Sequence, residues 1–125
     1  MTDYLNLDDL LAAAGAAVGG QAQLRDLGLL ETALARPRAS VYDEDAYPSL
    51  DEKAAALLHS IVTSHPLVDG NKRLGWVAVR LFYLLNNADL ASPEDAAFDL
   101  VVRIAAGTVD DVPTIAARLA GWRRS

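Results

Sequence analysis

The chain has 125 residues, is 52% hydrophobic and 22% charged, and carries a net charge of −6 with no cysteine, which suits one domain over residues 1–125 with a real core and excludes disulfides and thiolate metal sites. A pI near 4.7 argues against non-specific nucleic-acid binding. No apolar run approaches the ~20 residues that span a bilayer, and Met1-Thr2-Asp3-Tyr4 does not open a signal peptide, so the cytoplasm is the expected compartment.

Asn6 is the expected cap of a first helix, with Asp8 and Asp9 in its first turn, where acidic groups meet the positive end of the helix dipole. Leu7, Leu10, Leu11 and Ala14 form its apolar face, and Gly19-Gly20 ends it. A second helix runs from about Leu27 to Arg36, after a turn at Asp26-Leu27-Gly28, and Pro37 stops it. Leu27, Leu30, Ala33 and Leu34 face inward, while Arg25 and Arg36 flank the segment in solvent. Residues 37–48 are the main irregular stretch. In it, Ser40-Val41-Tyr42 and Ala46-Tyr47 suit two short strands around an acidic turn. Ser49 and Glu52 make a capping box for a third helix. Its Ala54, Leu57, Leu58, Ile61 and Val62 form a wide apolar face, so this helix is central. His59, beside that face, reads as structural.

The stretch His65-Pro66-Leu67-Val68-Asp69-Gly70-Asn71-Lys72-Arg73 concentrates the chemistry of the chain. Asp69-Gly70 is a turn signal. From Asn71 onward, Leu74, Val77, Ala78, Leu81, Leu84 and Leu85 recur at helical spacing. A loop therefore runs into a helix N-terminus, whose free N–H groups and partial positive charge suit an anion. Gly70 lets a phosphate approach the backbone, and Lys72 and Arg73 add full charges. Those two cations oppose the dipole where they stand, a conflict that a bound polyanion would remove. Asp69 could hold Mg²⁺, which usually takes one or two carboxylates plus substrate phosphates. His65 has the side chain best suited to accept a proton near neutral pH. Each residue alone also fits a solvated loop and helix cap. Together they read as phosphate site, metal ligand and base, for a nucleotide-dependent transfer onto a hydroxyl.

The helix after the loop extends to about Asn87, with Arg80 exposed, Gly75 marking a close helix crossing, and Trp76 either lining the pocket or, the preferred reading, covering the core. Ser92 as cap, Pro93 at the first position and Glu94-Asp95 open a fifth helix, with Ala97, Leu100, Val101 and Ile104 inward and Gly107 at its end. A last helix starts near Asp111 and Pro113 and turns Ile115, Leu119 and Trp122 inward. The expected fold is all-α: a compact bundle of about six helices, a central helix–loop–helix active site and a short flap.

The loop resembles the signature of the Fic/Doc superfamily, His-Pro-Phe-x-Asp/Glu-Gly-Asn-Gly-Arg-x-x-Arg between two helices. His65, Pro66, Asp69, Gly70, Asn71 and Arg73 match, and Leu67 replaces the Phe that anchors the loop. Lys72 stands where the AMP-transferring members carry Gly, and Trp76 where they carry the second Arg, which is the pattern of the Doc, or death-on-curing, branch. Leu29-Leu30-Glu31-Thr32-Ala33-Leu34-Ala35-Arg36-Pro37 and Ala46-Tyr47-Pro48 with Lys53-Ala54-Ala55-Ala56-Leu57-Leu58-His59 resemble upstream Doc segments, so the likeness covers most of residues 24–87.

The resemblance implies a toxin of a bacterial toxin–antitoxin pair, a protein Ser/Thr phosphotransferase that moves phosphate from ATP to elongation factor Tu and arrests translation. It implies His65 as base, Asp69 as Mg²⁺ ligand, Gly70 and Asn71 as loop formers with Asn71 orienting phosphate oxygens, and Lys72 and Arg73 as neutralising cations. Residues 37–48 would be a flap that positions the target, and a Phd-like antitoxin would be the partner. Two other readings stay open, a Fic-type AMP transferase and a catalytically silent binding module. A helical nucleic-acid binder is disfavoured by the acidic charge.

Overall fold

The computed structural model describes residues 1–125, and most helices start where their capping residues stand. Asn6 accepts from the Asp9 N–H at 2.8 Å while the Asp9 carboxylate accepts from the Asn6 N–H at 2.9 Å. That reciprocal pair starts α1 (Leu7–Val18), which ends on Gly19 at φ 71. Asp26 caps α2 (Leu27–Ala35), which tightens into a single 3₁₀ turn, Arg36–Arg38, around Pro37. The Ser49–Glu52 box opens α3 (Leu50–Ser64), and α4 (Asn71–Leu85) follows after a short loop. The chain ends with α5 (Glu94–Ala105) and α6 (Val112–Trp122), the latter capped by Asp111. Two antiparallel pairs of two-residue strands complete the structure: β1 (Ser40–Val41) with β2 (Glu44–Asp45), and β3 (Asp89–Leu90) with β4 (Arg123–Arg124). The fold is all-α, as the periodicity predicts. No helix is long and apolar enough to cross a membrane.

Helix α3 is the centre, packed against α2, α4, α5 and α6. Its Ala54, Leu57, Leu58, Ile61 and Val62 are buried. The predicted close crossing with α4 lies at Gly75. A Cβ there would stand 2.7 Å from Val62 Cγ2 and 3.0 Å from Leu58 Cδ1, so only glycine lets the two helices approach this far. The Tyr83 hydroxyl donates to Asp51 Oδ1 at 2.7 Å, and Arg123 pairs with the same oxygen at 3.1 Å. This contact ties α4 and β4 to the first turn of α3. Burial, with the Asp51 carboxylate beside it, pushes the Tyr83 phenol far above its ordinary range.

Several expectations are corrected. Leu11 and Leu27 are 38% and 44% exposed rather than inward; Leu30 and Ala33 fill the available face of the short α2, and Leu27 is left at its rim. Pro93 is itself the cap of α5, with Ser92 outside. Its extended backbone (ψ 141) cannot be a helical first position, and its carbonyl accepts from the Ala97 N–H at 3.1 Å. The hairpin in the flap is tighter than expected. Its second strand is Glu44–Asp45, not Ala46-Tyr47, because Tyr42 and Asp43 both take left-handed backbone (φ 52 and 64) and close a two-residue turn.

Arg36 is not in solvent. Its Nη1 donates to His59 Nδ1 at 2.7 Å and its Nε to the Tyr47 hydroxyl at 3.2 Å. Guanidinium only donates, so Nδ1 of His59 accepts and its Nε2–H faces Asp110 Oδ1 at 2.8 Å. That fully used ring agrees with a structural His59. At the other side of the flap the buried Lys53 donates to Asp45 Oδ2 at 3.0 Å and to the Tyr47 carbonyl.

Candidate active site at the start of α4

Helix α3 stops at His65, whose backbone is left-handed at φ 57, ψ 61. The ring Nδ1 lies 3.1 Å from the Thr63 carbonyl. A carbonyl only accepts, so in the neutral ring Nδ1 carries the proton and Nε2 keeps a free lone pair. The imidazole is exposed. It is therefore held in the tautomer a base needs, with its basic nitrogen uncommitted.

The rest of the loop is fixed by an unexpected neighbour, the segment just before α2. Pro66 O accepts from the N–H groups of Arg25 (2.8 Å) and Asp26 (3.1 Å), and Val68 N–H donates to Gln23 O at 2.9 Å. Leu24 and Leu67 form an isolated antiparallel bridge. Arg25 is exposed, as expected, but it also sends Nε to His65 O at 2.6 Å and Nη2 to Ser64 O at 2.8 Å. The last carbonyls of a helix lack intrahelical partners, and a two-pronged donor satisfies two of them. Local periodicity carries no sign of this contact, which spans some forty positions of sequence.

Leu67 takes the anchoring role foreseen for it and is 1% exposed. Asn71 is buried beneath it, with Oδ1 accepting from Leu67 N–H at 2.8 Å and Nδ2 donating to Leu67 O at 3.0 Å. The Asn71 amide thus shapes the loop through Oδ1 and one of its two Nδ2 hydrogens, the loop-forming role expected of it, and the residue also lines the cleft.

Gly70 caps α4 at φ 87 and offers no side-chain bond. A Cβ at this position would lie 2.7 Å from Val18 Cγ1, so both conformation and space demand glycine. The first intrahelical bond is Leu74 N–H to Gly70 O at 2.9 Å, leaving the N–H groups of the first turn for a ligand. Lys72 and Arg73 are exposed there and take part in none of the ion pairs. Asp69 is exposed, with Oδ1 accepting from the Gly70 N–H at 2.8 Å and Oδ2 open.

His65, Asp69, Gly70, Asn71, Lys72 and Arg73 all line one cleft of ≈ 1120 Å³ between the end of α1, the loop, α4 and α5. Every predicted site residue is brought together there. Beyond the polar loop the wall turns apolar, with Trp76, Val77, Phe98 and Val101. Trp76 lines this wall and also meets Trp122 edge-to-face at 6.3 Å and 77°. Arg80 lines it too, but binds Asp89 through Nε–Oδ1 (2.9 Å) and Nη2–Oδ2 (3.1 Å). That pair holds the Asp89 carboxyl below its ordinary range and Arg80 above. No three acidic or imidazole groups converge to cage a metal ion. Asp69 alone suits Mg²⁺ that arrives with phosphates and keeps its waters.

Residues 3–83, from before α1 through most of α4, match the model of the Fic/DOC family. The chain belongs to the Fic/Doc family. This Fic/Doc protein is also 48% identical over 124 residues to Toxin Doc of Mycolicibacterium smegmatis (strain ATCC 700084 / mc(2)155), an alignment covering 98% of the chain and 95% of the relative. That likeness puts it in the Doc branch and extends through α5, which supplies part of the apolar wall of the cleft, and α6.

Proposed function

We propose that the protein is the toxin of a toxin–antitoxin pair and transfers phosphate from ATP to a Thr or Ser hydroxyl of elongation factor Tu, arresting translation in the cytoplasm. The toxin role rests on the Doc relative. The choice of phosphate over AMP rests on one pair of positions. Lys72 lines the cleft where AMP-transferring members carry Gly, and it would crowd the nucleotide pose they use. Trp76, engaged with Trp122, stands where they place a second arginine clamp.

The roles follow from the groups left free. The first-turn N–H groups of α4, with Lys72 and Arg73, hold phosphate oxygens and stabilise charge on the transferring group. Asp69 is the residue to hold Mg²⁺, which when bound draws negative charge from the phosphates. Nε2 of His65 takes the acceptor hydroxyl proton. The hydroxyl oxygen then bonds to the γ-phosphorus as the bond to the bridging oxygen breaks, and ADP leaves with that electron pair. The exposed β1–β2 hairpin offers backbone groups for an extended acceptor segment. A Phd-like antitoxin is the expected partner.

The test uses ATP labelled on the γ- or the α-phosphate, incubated with the protein, Mg²⁺ and elongation factor Tu beside a His65→Ala control. Label from γ alone, lost in the control, is the expected result. Label from α would make it an AMP transferase. Label from neither would overturn this acceptor and leave a silent binding module as the better reading.

A further inference from the structure

Arg25 grips three successive carbonyls: Ser64 O through Nη2, His65 O through Nε, and Pro66 O through its own backbone N–H. We propose that Arg25 is a positioning residue for the His65 base, a role that rests on the phosphotransfer reading. The two side-chain prongs belong to one rigid plane. They reach both carbonyls only while the peptide joining residues 64 and 65 keeps one orientation and His65 stays left-handed at φ 57. That conformation is unfavourable for a residue with a Cβ, so it persists only where its surroundings hold it. It also sets the ring where Nδ1 meets the Thr63 carbonyl at 3.1 Å. Arg25 therefore acts on Nε2 at one remove: it fixes the backbone, the backbone fixes the ring, and the Thr63 carbonyl fixes the tautomer. Without the guanidinium, the end of α3 can relax, Nδ1 loses its acceptor and both tautomers become populated.

The chain has two histidines, so long-range proton–nitrogen NMR of histidine-labelled protein resolves both rings. His59, held by Arg36 and Asp110, serves as an internal reference. Arg25→Met should move the His65 nitrogen signals toward a mixture of tautomers while those of His59 stay in place. It should lower kcat for phosphate transfer by about 10²-fold with little change in KM for ATP, as misplacement of a base does. Arg25→Lys, whose compact ammonium cannot span both carbonyls, should fall between. A His65 spectrum identical to wild type in a folded Arg25→Met protein would overturn the proposal and leave Arg25 a helix cap only. Should Arg25→Met not fold, the His65 spectrum of Arg25→Lys decides between the same two outcomes. The NMR arm needs no transfer activity, so failure of the functional reading and failure of this one are told apart.

Discussion

Asn71 and Leu67 exchange two hydrogen bonds, side-chain amide against backbone, and both residues are buried. This bond pair makes the loop a closed ring of backbone whose bottom is shut off from water. Asn71→Asp removes the donor and sets a carboxylate against the Leu67 carbonyl. Each buried backbone group left unpaired costs about 1–3 kcal/mol. Urea unfolding should show a loss of that order, and transfer activity should fall because the loop no longer holds one shape.

Gly70 and Val18 make a second test, of space rather than hydrogen bonding. Gly70→Ala incurs the left-handed penalty, roughly 1–2 kcal/mol, and the overlap with Val18 Cγ1 at 2.7 Å. Val18→Ala in the same chain removes the overlap but not the penalty. The double variant should therefore recover part of the stability lost by Gly70→Ala, with a coupling of at least about 0.5 kcal/mol in a double-mutant cycle. Simple additivity would show that the end of α1 does not limit the turn.

Lys53 anchors the flap from below, its side chain 2% exposed and its ammonium between Asp45 and the Tyr47 carbonyl. Lys53→Met keeps the stem and drops both bonds. Amide hydrogen exchange of residues 40–47 should accelerate while the amides of α4 keep their protection. If the flap presents the acceptor, transfer to protein should slow while ATP binding is unchanged.

Asp111 gives a pH test whose sign is fixed. Its carboxylate accepts from Thr114 Oγ1 and N–H at the cap of α6, which holds it below the ordinary carboxyl range. A depressed folded-state value means the unfolded chain binds the proton first as pH falls. The stabilisation is complete above the ordinary carboxyl value and is lost as pH drops through the lower folded one. Asn is also a good cap, so Asp111→Asn should leave neutral-pH stability nearly unchanged and flatten the acid limb of a stability–pH curve.

The helices were legible because their signals are local. The Asn6 and Ser49 caps, the period of α3 and α4 and the tight crossing at Gly75 can each be read within a turn or two of sequence. The site was legible because its residues run together from His65 to Arg73. What escaped depends on partners far along the chain. Arg25 and Arg36 look like solvated cations until their carbonyl and imidazole acceptors are known. The short register of the flap hairpin depends on Tyr42 and Asp43 taking a backbone that sequence normally marks with Asn or Gly. That the loop-forming Asn71 pairs with Leu67 could not be read because an amide suits a phosphate and a peptide equally well.

The left-handed backbone of His65 has an evolutionary consequence. A helix end of this shape is the natural place for glycine, which adopts it without steric strain. An imidazole there costs folding free energy, roughly 1–2 kcal/mol. Nothing in the packing of an exposed side chain repays that cost, so under the proposed function the histidine is kept at position 65 for the base it supplies rather than for stability. A lineage that kept the fold as a scaffold and gave up transfer would drift toward glycine at position 65 and become more stable by doing so.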